Sequence, residues 1–176
     1  MQESKIQDRK PKTGVNPPAR TITRILLCAI AVVVFAADQL SKHLVESRIP
    51  ERVTVPVVKG FFNLVNTKNT GAVFGMFSES AVWWKTPLLI GISVALLITV
   101  VMLVSKTRNL HWSMSVGMAL ILGGALSNLF DRVRSGQVED FLDFYFRSYH
   151  WYTFNVADSA IVVGTGLIVL QVLLGE

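Results

Sequence analysis

The chain is built from long apolar runs separated by short polar segments. Ile25–Ala37, Pro87–Val104, Trp112–Phe130 and Phe154–Leu174 are dominated by aliphatic and small side chains. A helix needs about 20 such residues to cross the hydrocarbon layer of a bilayer. Pro87–Val104 holds no charge at all and is the clearest span. Ile25–Ala37 is short by itself, but Leu40, Leu44 and Val45 continue one apolar helical face beyond Asp38. The pattern predicts four transmembrane helices, over about 22–45, 86–105, 112–131 and 154–174. A cleavable signal peptide ending at Ala36-Ala37 is the rival reading of the first run. Phe35 argues against it, because a large residue stands where such a site needs a small one.

The polar segments sort by type. Residues 1–21 carry Pro11, Pro17, Pro18 and several basic side chains and read as a disordered cytoplasmic tail. Outer loops are expected over about 46–85 and 132–153. Within the first, Val53-Thr54-Val55, Val57-Val58 and Phe61-Phe62-Asn63-Leu64-Val65 are strand-like and are broken by Pro56 and Gly60. The expected fold is therefore membrane all-α, with four transmembrane helices and a small extracytoplasmic β-sheet between the first and second. Trp83 and Trp84 mark the return to the membrane interface. Gly123-Gly124 in the third run permits close helix packing. An even number of spans puts both termini on one side. Six Lys and Arg in the N-terminal segment and two in the Lys106–Asn109 turn point to the cytoplasm for that side.

Composition agrees. The chain is 51% hydrophobic and 16% charged, against about 25% charged in soluble domains. The net charge of +5 does not form a basic patch interleaved with aromatics, so no nucleic-acid partner is expected. Cys28, the only cysteine, stands in an apolar run, which rules out a disulfide framework within the chain. His43, His111 and His150 are scattered, and there is no His-Glu-x-x-His, Gly-x-Ser-x-Gly or phosphate-binding loop. Neither a metal nor a cofactor is expected.

The chemistry must then come from carboxylates. Asp38, Asp131, Asp140, Asp143 and Asp158 all fall near the outer ends of spans. Ionisable groups at membrane helices are costly and mark function. Asn128 and Asp131 share a helical face, as do Asn155 and Asp158. Two carboxyl groups in a partly dry site can share one proton, one acting as base on a water and the other as acid on a carbonyl oxygen. Spacing alone leaves open which two meet. It also leaves structural roles open: an Asp131–Arg132 ion pair, a solvated loop carboxylate at Asp143, a snorkelling Lys42, an N-cap at Asn155, a plain turn at Gly71. Tyr149, Trp151 and Tyr152 read as an interface belt.

Five segments stand in order: Asp38-Gln39-Leu40-Ser41-Lys42, Asn69-Thr70-Gly71-Ala72-Val73-Phe74, Gly123 to Arg132, Val138 to Asp143, and Phe154-Asn155-Val156-Ala157-Asp158-Ser159. Together they resemble the lipoprotein signal peptidases, the type II signal peptidases of bacteria, over about residues 22–172. The resemblance implies an aspartic endopeptidase of the bacterial inner membrane, with Asp140 and Asp158 as the catalytic pair. It implies that Asp38, Lys42, Asn69, Gly71, Asn128, Arg132 and Asn155 line or brace the site. The implied substrates are diacylglyceryl-modified prolipoproteins, met in the membrane lipid and cut just before the lipidated cysteine. Ser127 departs from the pattern, where the family usually has Gly. The alternative is a small proton-relay or transport protein using the same aspartates. It would place carboxylates through the membrane depth, and the inner halves of the second and fourth runs have none.

Overall fold

The computed structural model describes residues 17–71, 84–106 and 111–174. Four helices, α1 (Pro17–Arg48), α2 (Lys85–Lys106), α3 (Trp112–Ser135) and α4 (Val156–Leu174), are joined on one side by strands β1 (Thr54–Val58), β2 (Phe62–Asn69), β3 (Val138–Phe146) and β4 (Tyr149–His150). All four helices contain a segment long and apolar enough to cross a membrane. The fold is the membrane-spanning, four-helix type with a small antiparallel sheet. Helix α1 starts at Pro17, ahead of the tail boundary expected at residue 21. Proline is tolerated in a first turn because the amides there have no intrahelical acceptor. Residues 1–16, Ala72-Val73-Phe74, Trp83 and the Thr107–Asn109 turn lie outside the described residues.

Helix α3 is the centre. It is 61% buried over its most apolar window, whereas α2 is 6% buried. Small residues make this possible. A Cβ added at Gly123 would lie 2.6 Å from the carbonyl oxygen of Ala31 in α1. One added at Gly124 would overlap the carbonyl oxygen of Ala157 in α4. The three backbones are therefore in direct contact at this level. Lipid offers no hydrophobic drive for helices to associate, so such van der Waals contact and buried hydrogen bonds hold them. Deeper in the bundle Val100, Met118 and Ile121 form a small core, and Ser113 Oγ donates to Gln171 Oε1.

The sheet corrects one expectation. Its strand order is β1-β2-β3-β4, so half of it comes from the connection between α3 and α4, read above as loop. Strand β2 pairs with β3 through Phe62↔Phe144, Asn63↔Asp143 and Asn69↔Val138, with an irregularity between Leu64 and Thr67. Glu139, Asp140 and Asp143 give β3 the appearance of a solvated loop, and the partners that let two of them be buried lie on β2. Stacked rings of Phe62, Phe144 and Phe154 cover one side of the pairing. Gly136, with φ of 75°, ends α3 in the left-handed conformation and turns the chain into β3.

Candidate active site

The N-terminus of α4 organises the site. Asn155 precedes the helix, and its Oδ1 accepts the backbone N–H of Asp158 at 2.9 Å. Asp158 Oδ2 in turn accepts the N–H of Asn155 at 3.3 Å. This is a reciprocal cap, in which each side chain satisfies an amide that the helix leaves open. The N-cap role expected for Asn155 is therefore one of its tasks. Its Nδ2 faces the other way and donates to Asp140 Oδ1 at 2.8 Å, with longer approaches of 3.3 Å to Asn128 Oδ1 and the Glu139 carbonyl.

Asp140, on β3, is 2% exposed. Its second oxygen accepts Asn69 Nδ2 at 2.8 Å from β2. The N–H of Gly71 donates to Asn69 Oδ1 at 2.7 Å, which turns the amide so that its NH2 faces Asp140. Gly71 thus makes a turn and braces a site residue at once. Asp158 Oδ1 accepts Asn128 Nδ2 at 2.8 Å from α3. Five residues therefore run in one hydrogen-bonded chain: Asn69, Asp140, Asn155, Asn128 and Asp158. Burial, and then the nearby charge of Asp158, push the Asp140 carboxyl up to about 7; the amides of Asn69 and Asn155 act in the opposite direction.

A second cluster lies behind this one. Lys42 Nζ sits 2.5 Å from Asp38 Oδ2 and 2.5 Å from Asp131 Oδ2, and 3.2 Å from Asn128 Oδ1. Lys42 is buried, so it does not snorkel. Asp131 pairs with Lys42 and with Gln39 Nε2 at 2.7 Å, which replaces the ion pair expected with Arg132. Arg132 instead donates to the Asn128 carbonyl at 3.2 Å. Asp38 is fully buried, and its Oδ1 accepts the N–H of Ala157 at 2.8 Å. It therefore caps α4 from a different helix, next to Asp158. A buried carboxylate is tolerable when it is paired and fully hydrogen-bonded. Among the described residues the two clusters differ in kind: Asp38 and Asp131 have a cation, whereas Asp140 and Asp158 are held by neutral amides and backbone N–H.

Asp143 is corrected too. It is 4% exposed and accepts Asn63 Nδ2 at 2.8 Å, with His150 Nδ1 at 2.9 Å. It fastens the far end of the sheet. The sequence signals that missed this, and missed Gln39 and Ser127 as partners of Asp131 and Asp38, were all local. The contacts span between 80 and 92 residues, except for His150.

A cleft of about 640 Å³ runs from Asp140 and Asp158 down between α2, α3 and α4. Its polar end also holds Asn69, Asn128 and Arg132; its walls are Leu89, Ile92 and Leu96 of α2, Ala125 of α3 and Ile161 and Val162 of α4. Trp151, Tyr152 and Phe154 close the side next to β3, so Trp151 and Tyr152, read from sequence as an interface belt, also line the cleft. Among the described residues no group of three or more His, Cys, Asp and Glu is placed to hold a metal ion.

Residues 30–174 match the family model described as signal peptidase (SPase) II. A lipoprotein signal peptidase of Solibacter usitatus is 42% identical over 82% of this chain and 88% of its own length. The one from Nitratidesulfovibrio vulgaris is 44% identical over 82% and 86%. A solved bacterial membrane enzyme superposes with a TM-score of 0.76 at 31% identity, covering 84% of this chain and 87% of that one.

Proposed function

The chain belongs to the signal peptidase II family, and from that premise we propose that it is an aspartic endopeptidase that removes the signal peptide from diacylglyceryl-modified prolipoproteins, cutting just before the lipidated cysteine. The observation that carries this reading is the placement of Asp140 and Asp158. They lie in one amide-held hydrogen-bond chain at the polar head of a cleft whose walls are apolar.

In the proposed reaction one carboxyl is ionised and the other protonated. The ionised aspartate takes a proton from a water as its oxygen attacks the scissile carbonyl carbon. The protonated aspartate gives its proton to the carbonyl oxygen, and a neutral tetrahedral diol forms. The aspartate that took the water proton then gives it to the peptide nitrogen, the C–N bond breaks, and one diol hydroxyl returns its proton to the other aspartate as the carboxyl and the amine form. Neutral amides suit this exchange. They orient both carboxylates without the direct ion pair that Lys42 makes with Asp38 and Asp131. Burial pushes the Asp140 carboxyl up to about 7, which keeps a shared proton within the pair near neutral pH, and the two groups titrate as a pair.

The apolar walls suit a substrate that arrives by lateral diffusion. Diacyl chains and the apolar part of a signal peptide match Leu89, Ile92, Leu96 and Ile161. The membrane parity of four spans puts both sheet-bearing connections on one face, and the cytoplasmic tail expected from its basic residues makes that the outer face. The test is incubation of detergent-purified protein with a lipidated prolipoprotein and with its unlipidated precursor. Cleavage of the lipidated form alone, with a product whose first residue is the modified cysteine, is the expected result. Equal cleavage of both forms, or a cut elsewhere, overturns the substrate assignment.

A further inference from the structure

Ser127 is fully buried in α3, one residue before Asn128. Its hydroxyl donates to Asp38 Oδ2 at 2.7 Å and accepts Gln39 Nε2 at 2.9 Å. The other oxygen of Asp38 holds the N–H of Ala157 at 2.8 Å. Ala157 is the neighbour of Asp158, whose own cap on Asn155 begins at the same turn. A carboxylate can present Oδ1 to Ala157 only in one plane. Lys42 fixes a charge near Oδ2 but has a flexible stem and three rotating donors. The short Ser127 side chain, fully buried on α3, supplies the direction that the lysine does not.

We propose that Ser127 is a positioning residue for the peptidase reaction, acting through Asp38 to hold the first turn of α4, and with it Asp158, in register with Asp140. Ser127 reaches neither aspartate of the pair by any hydrogen bond among the described residues. Its effect passes along Ser127, Asp38 and Ala157. The same hydroxyl accepts from Gln39, whose amide also reaches Asp131 at 2.7 Å, so one oxygen ties the Asp38–Lys42–Asp131 cluster to the α4 cap. The inference rests on the peptidase reading of the site.

The test uses Ser127→Ala, which removes one oxygen and keeps the Cβ, and Ser127→Cys, which keeps the shape and a weaker donor. Cleavage of a lipidated prolipoprotein gives kcat and KM, and NMR in detergent gives hydrogen exchange at the Ala157 amide. In Ser127→Ala, kcat is expected to fall roughly 10- to 150-fold, the scale of one lost hydrogen bond to a charged group. KM should hold and Ala157 should exchange faster, with Ser127→Cys between Ala and Ser on both measures. An unchanged kcat overturns the proposal, and so does a loss of kcat with Ala157 exchange unaltered, since the path through Asp38 would then be unused. Failure of the parent protein to cleave sinks the peptidase reading instead, and the exchange measurement still decides whether Ser127 holds the cap.

Discussion

Helices α2 and α3 cross the same membrane and do opposite work. The most apolar window of α2 has a mean hydropathy of 2.8 and is 6% buried; that of α3 has 1.5 and is 61% buried. The more hydrophobic helix faces lipid and gives the site only a wall. The less hydrophobic one touches α1, α2 and α4, and carries Asn128, Asp131 and Arg132. In a bilayer, hydrophobicity marks what the lipid touches, and small or polar residues mark what the protein keeps for itself.

That contrast can be broken by substitution, and the largest effects belong to the α3–α4–β3 side. Asp140→Asn and Asp158→Asn each keep side-chain size but can neither take nor release a proton. Turnover should fall by at least the 10²–10⁴-fold typical of general acid–base assistance, with folding in detergent retained. A variant with wild-type turnover would remove that aspartate from the reaction. Gly124→Val comes next. Its side chain would meet the Ala157 carbonyl, forcing α3 and α4 apart at the level of the cap. Overpacking of this kind costs about 1–3 kcal/mol, and turnover should drop roughly tenfold or more as Asn128 loses Asp158, a factor of ten being about 1.4 kcal/mol. Thermal unfolding measured beside turnover separates the two losses, and a fully stable, fully active valine variant would mean the helices need no such approach.

Smaller effects sharpen the comparison. Burial and the nearby charge of Asp158 push the Asp140 carboxyl up to about 7. Activity should therefore be lost as pH rises through about 7, when the shared proton leaves. The same burial favours the folded state less at that pH than under acid conditions, because the unfolded carboxyl already ionises near pH 4. A rate profile flat from pH 6 to 9 would contradict this assignment. Ile92→Ser on α2 should do least: KM for the lipidated substrate rises several-fold, on the scale of one lost apolar side chain in a cleft, and kcat stays within about twofold. A large kcat loss there would show that α2 is more than a wall.

The four spans were legible because bilayer thickness imposes a length on apolar runs, and Asn155 could be assigned a cap because capping is local. Asp143 was misread as a solvated carboxylate because what buries it, Asn63, stands 80 residues away on another strand. Strand β3 was hidden for the same reason: Val138-Glu139-Asp140-Phe141-Leu142-Asp143 reads as loop until β2 is laid beside it. Asp131 was matched with its neighbour Arg132, yet its cation comes from α1. Neighbours in sequence on a helix point away from each other, so adjacency was the wrong cue. The candidate site residues could be named one by one from motif resemblance. Their arrangement into an ion-paired cluster and an amide-held one could not, because it depends on which of five elements each partner comes from.

The sheet has a bearing on how the molecule comes into being. Asn69 rides on β2, from the connection after α1, and Asp140 on β3, from the connection after α3; the two strands pair directly. Asn155 and Asp158 belong to the last helix of all. In a chain emerging from its ribosome, Lys42 and Asn69 are made well before Asp140 and Asp158. Only when both connections stand on the same face and α4 has been delivered do the two carboxylates meet. The proposed hydrolytic centre is thus completed last, because a chain stalled before α4 lacks Asp158.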